Sequence, residues 1–153
     1  MAARVVDRQD HVAVSRPRLA RASQAALAAV GRPASEVEIL VVDDAEIARL
    51  NGRYLGRAQR TDVLAFPLAV NEADGGLLGQ VVISAQTARR QARQVGVPVL
   101  LEMDLLATHA ILHLVGYDDR DPVEAELMHR REREILAASQ RVPRQLWDGL
   151  LHD

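Results

Sequence analysis

His109 and His113 stand four residues apart in the apolar run LLEMDLLATHAILHL, so on a helix both imidazoles leave the same face, one turn above the other. Two ring nitrogens at that spacing, followed by Gly116 and the carboxylates of Asp118 and Asp119, are donors that one divalent ion can collect. A glycine just past a helix C-terminus can take the left-handed conformation that turns the chain back, returning a carboxylate beneath the rings. Spacing favours Asp119 over Asp118 as the third ligand, but the sequence does not show which of them turns inward. Two histidines and one aspartate would leave a fourth position on zinc open to water or substrate. The order H-x3-H-x2-G-x2-D has the outline of the long zinc motifs of metalloproteases. Those enzymes place a glutamate general base directly after the first histidine, where this chain has Ala110, so proteolysis by that route is disfavoured. His11, His129 and His152 have no comparable neighbours and read as surface or capping residues.

The rest of the chain has to position that stretch. Its 153 residues suit a single domain, 1–153, burying about two-thirds of its unfolded surface around one core. With no cysteine, thiolate metal sites, disulfides, iron–sulfur clusters and cysteine nucleophiles are excluded, and nitrogen and oxygen ligands remain. No stretch approaches the ~20 apolar residues of a membrane span, and the first residues lack a signal-peptide core, so a soluble cytoplasmic protein is expected. A net charge of -2 argues against a protein that coats nucleic acid indiscriminately, although all 19 basic residues are arginine and a local basic patch is compatible with it.

In chain order, HVAV at 11–14 reads as a first strand, followed by Ser15 as N-cap and Pro17 in the first turn of a helix whose stripe is Leu19, Ala22, Ala26 and Val30. EVEILVVD reads as a central strand, apolar on both faces. Asp43 or Asp44 caps a helix with Ile47, Leu50, Asn51 and Tyr54 inward and Arg49, Arg53 and Arg57 outward. TDVLAFP and LLGQVVIS, joined across an Asp-Gly-Gly turn, read as a hairpin. Ser84 caps a helix with Ala85, Ala88, Ala92 and Val95 inward, ended by Gly96. Pro98 opens the histidine helix, and Asp121 and Pro122 open another whose core side reads as Val123, Leu127, Ile135 and Leu136, with Glu132 among the exposed charges. The whole is expected to be α+β, a small mixed β-sheet packed with helices, one of them a zincin-like HxxxH helix.

HAILHLVGYDD resembles the signature of the YbeY family of bacterial ribosomal-RNA maturation endoribonucleases, H-G-x-L-H-L-x-G-Y-D-H. LNGRYLGRAQRTDVLAFP and LGQVVIS are similar, in order and spacing, to two further blocks of that family. The resemblance implies one Zn2+ ion held by three positions of the signature, here His109, His113 and Asp119, the last replacing a histidine. It implies a metal-dependent, single-strand-specific endoribonuclease acting in small-subunit ribosomal-RNA 3′-end maturation and ribosome quality control. Its partners would be single-stranded ribosomal RNA and the small subunit or its assembly factors. Arg53, Arg57, Arg60, Arg89 and Arg93 are then candidates for holding the RNA backbone. Besides Asp119, Leu55 replaces the arginine the family is thought to use in activity, and two milder departures put Ala110 in place of a glycine and Gln80 in place of an acid. A zinc hydrolase of peptides or small molecules, or an assembly factor with structural metal, are the rival readings.

Overall fold

Apolar residues on both faces of the inner strands dictate that helices cover the sheet from two sides. The structure, a computed structural model, describes residues 3–55, 62–68 and 76–150, of which 54–55 and 148–150 are described by backbone alone. The elements are β1 (Ala3–Asp7), α1 (Arg16–Ala29), β2 (Glu36–Val42), α2 (Asp44–Leu55), β3 (Val63–Pro67), β4 (Leu77–Ser84), α3 (Ala85–Val95), α4 (Val99–Leu114), α5 (Pro122–Ser139) and α6 (Arg144–Leu150). The sheet order is β1-β2-β4-β3, with β1, β2 and β4 parallel and β3 antiparallel to β4. This is the expected α+β domain with a mixed sheet, and β3 and β4 pair antiparallel as expected, while Asp74 and Gly75 of the expected turn lie outside the described residues.

Val37, Ile39 and Val41 of β2 face one cluster with Leu27 of α1 and Ala107, Ile111 and Leu112 of α4. The alternate residues Leu40 and Val42 face the other side, against Ile47 of α2, Leu64 and Val82. Period-two alternation thus divides β2 between two apolar layers. Full burial of each large aliphatic chain, such as Ile39, Ile111 or Leu112, is worth about 1.5–3 kcal/mol. Packing is closest where α4 crosses β4: a Cβ on Gly79 would lie 2.7 Å from the Leu114 side chain and 2.7 Å from the Phe66 carbonyl oxygen.

Two expectations need correction. The first strand is Ala3–Asp7, not 11–14. Residues 9–12 instead form a loop gathered by one side chain, in which Gln9 Oε1 accepts from the amides of His11 and Val12 while Gln9 Nε2 donates to the Val12 carbonyl. In α5, Val123 and Leu127 are 69% and 50% exposed, and the core side is Met128, Glu132, Ile135 and Leu136. That set also has helical spacing, rotated so that a charged residue comes inward. Among the described residues no single helix is long and apolar enough to cross a membrane. The long apolar helix α4 is instead the core of the domain.

Candidate metal centre

The site begins with how α4 is held. Asp104, 2% exposed, accepts hydrogen bonds from Arg18 Nε of α1 at 3.0 Å and from Gln140 Nε2 at 3.1 Å. Burial pushes its pKa up, against the opposing pull of Gln140 and Arg18. These bonds tie the middle of α4 to α1 and to the end of α5. Two turns on, His109 and His113 emerge from the buried helix with their side chains 20% and 30% exposed.

Beyond α4 the chain reverses as expected. Gly116 has φ +105°, its amide bonds the His113 carbonyl, and the Tyr117 amide bonds the Leu112 carbonyl. This pair of bonds is the Schellman closure of a helix C-terminus. The reversal brings Asp119 Oδ2 to 4.0 Å from His109 Nε2 and 3.9 Å from His113 Nε2, while the two Nε2 atoms are 3.1 Å apart. A triangle with those three sides has a centre about 2.1 Å from every corner, which is the ligand distance of zinc to nitrogen or carboxylate oxygen. The three residues therefore fit one small divalent ion. Asp118 is engaged elsewhere: its Oδ1 accepts from the amides of Asp119 and Arg120, and its Oδ2 pairs with Arg120 Nε. It clasps the loop that presents Asp119.

Two functional neighbours escaped the sequence reading. Glu132, read as exposed, is fully buried; its Oε1 lies 2.5 Å from His109 Nδ1 and its Oε2 lies 3.3 Å from His129 Nδ1. A carboxylate on Nδ1 fixes the tautomer that turns a Nε2 lone pair toward a metal and makes that nitrogen more basic. Burial opposes the charge on both His109 and Glu132, but their contact outweighs it, so the His109 pKa is held up and that of Glu132 down. For His129 the hydrogen bond to Glu132 is the leading cause of a raised pKa, with burial opposing. The one signal for Glu132 was its place, with Met128, Ile135 and Leu136, on a helical stripe that is otherwise apolar.

These groups open into a cleft of about 340 Å³ lined by Leu105, Leu106 and Ala125 on its apolar side. Its polar wall carries Asp62, Gln91, Glu102, His109, Asp119, His129 and Glu132. Among the described lining residues, only His109 and His129 can carry positive charge. The arginine candidates lie elsewhere or beyond description. Arg53 is exposed on α2, and Arg57 and Arg60 lie outside the described residues, as does the side chain of Leu55. Arg89 donates to the His11 carbonyl at 2.9 Å, and Arg93 is exposed. Gln91 is the residue α3 gives to the cleft. At 3.6 residues per turn, Arg89 and Arg93 lie about 160° around the helix from it. Gln80 donates at 2.7 Å to Glu38 on β2.

Comparison with known proteins adds the lineage. A chain from Anaeromyxobacter sp. strain Fw109-5 named Endoribonuclease YbeY is 44% identical over 132 residues, covering 86% of this chain and 69% of that one. A second of that name, from Geobacter metallireducens, is 37% identical over 142 residues, covering 90% and 95%. The solution structure of a Thermotoga maritima protein superposes with TM-score 0.59 at 22% identity, covering 89% of this chain and 90% of that one, and so shares the architecture. The family model described as Endoribonuclease YbeY matches residues 4–140, a span that contains the whole His109, His113, Asp119 group, and the chain belongs to that family.

Proposed function

We propose that this protein is a zinc-dependent endoribonuclease that cuts single-stranded RNA in the cytoplasm, acting in 3′-end maturation of small-subunit ribosomal RNA and in ribosome quality control. The observation that carries the reading is the convergence of His109, His113 and Asp119, with ligand atoms all within 4.8 Å of one another, in a chain of the Endoribonuclease YbeY family. A divalent ion held there would supply Lewis acidity toward a phosphoryl oxygen or a water molecule. The protein's own contribution is positioning. His109 and His113 present Nε2 and Asp119 presents Oδ2, while Glu132 holds His109 in the ligating orientation. Leu105 and Leu106 give the cleft an apolar wall, which lowers the local dielectric and strengthens charge interactions within it.

The test compares wild type with His113→Ala. Both proteins are purified, checked for folding, analysed for bound metal, and assayed on a single-stranded RNA, its duplex form and a peptide mixture. Wild type is expected to carry one zinc per chain and to cut only the single strand, with both properties lost in the variant. Equal RNA cleavage by the two proteins would sink the proposal, since a contaminating nuclease would then account for the activity. A metal-loaded wild type that cuts peptide and not RNA would replace it with the other hydrolase reading.

A further inference from the structure

His129 belongs to the cleft but not to the group of three ligands. It sits on α5, one turn before the carboxylate that orients His109, and its side chain is 22% exposed. Glu132 divides its two oxygens, Oε1 to His109 and Oε2 to His129, so one buried carboxylate fixes two imidazoles that line one cleft. With Nδ1 of His129 turned to Glu132, the opposite edge of the ring, Nε2, is left to face away from that carboxylate.

The other lining charges define what such a group is for. Asp62 comes from the segment before β3, Glu102 and His109 from α4, Asp119 from the loop after it, and Glu132 from α5 itself; α3 contributes the neutral Gln91. A phosphodiester approaching this wall meets four carboxylates. His109 Nε2 is committed to the ligand group, which leaves His129 as the side chain among the described lining residues able to offer a cationic N–H.

Resting on the endoribonuclease reading, we propose that His129 is a substrate-contacting residue whose Nε2–H donates to a non-bridging oxygen of the RNA phosphate held in the cleft. The raised pKa that Glu132 gives it extends the pH range over which that donor is present. Hydrogen bonds to a charged partner contribute about 1.5–3 kcal/mol, so their loss weakens binding about ten- to hundredfold.

The test uses zinc-loaded wild type, His129→Gln and His129→Arg, each with its metal content and thermal melting measured first. Steady-state cleavage and anisotropy binding of a short single-stranded RNA are then read from pH 5.5 to 9. His129→Gln is expected to keep zinc and fold, to bind RNA about ten- to hundredfold more weakly near neutral pH, and to lose the alkaline decline of wild-type affinity. His129→Arg is expected to recover most of the affinity and to show no such decline. Unchanged RNA affinity in His129→Gln, or loss of zinc from it, would overturn the assignment while leaving the nuclease reading intact. If wild type neither binds nor cuts RNA, that reading fails by itself. Calorimetric binding of inorganic phosphate to the same three proteins then judges the contact: loss in His129→Gln with recovery in His129→Arg upholds it, and equal binding overturns it.

Discussion

Glu132→Gln tests whether the buried carboxylate positions a metal ligand or merely fills space. The substitution keeps volume, and the Gln oxygen can still accept from His109 Nδ1, so the fully buried position stays packed and hydrogen-bonded while one negative charge is removed. Loss of an outer carboxylate on a ligating histidine costs about 10–100-fold in metal affinity, or about 1.4–2.8 kcal/mol. The pH dependence fixes the sign. In metal-free protein Glu132 raises the His109 pKa, so a proton competes for Nε2, and wild-type zinc affinity falls as pH drops through that raised value. The variant should have a lower alkaline plateau, but its decline should begin at a more acidic pH, so the two curves converge on the acid side. Competition with a chromophoric chelator between pH 5.5 and 8.5, alongside circular dichroism to confirm equal folding, reads both features. Equal affinity at pH 8.5 would refute a positioning role, and so would parallel curves that never converge.

Three further outcomes follow from the same geometry. Asp119→Asn should reduce zinc binding severely while Asp118→Asn retains it, because Asp118 clasps the loop and Asp119 faces the rings; chelator competition decides, and the reverse order would reassign the ligand. Gly79→Ala should destabilise by about 1–3 kcal/mol, since the added Cβ meets a strand carbonyl that is held in the sheet. Urea denaturation measures that loss, and melting should fall by about 2–4 °C per kcal/mol. Asp44 is the third case: burial opposes its ionisation, but Arg90, Ser84 and Thr87 outweigh it and hold its carboxyl well below the usual carboxylate range. A depressed folded pKa gives stability that is present above the unfolded value and lost as pH falls toward the folded one. Asp44→Asn should therefore cost about 2 kcal/mol at pH 7, with the gap to wild type closing below pH ~4; a gap independent of pH would contradict this.

Features set by neighbours within a few residues were legible in the amino-acid order. Histidines at i and i+4 must share a helix face, and Gly116 three residues on must be free to turn left-handed, so His109, His113 and the returning aspartate were legible before any fold was known. Caps such as Ser15, Ser84 and Asp121 were legible for the same reason, since each bonds an amide within three residues. Tertiary structure decided which face of α5 is buried. Helical spacing fits Val123 and Leu127 as well as it fits Met128 and Glu132, and docking against α4 and α1 selects the second set. A buried carboxylate is costly unless paired, so the place of Glu132 on the stripe with Met128, Ile135 and Leu136 did not by itself turn it inward. Its partner His109 lies 23 residues away in the chain. His129, one turn before Glu132 on the same helix, was hidden because its contact matters only once Glu132 faces the cleft. A contact made across two helices supplies the energy that admits such a charge, and that energy does not exist until the helices have packed.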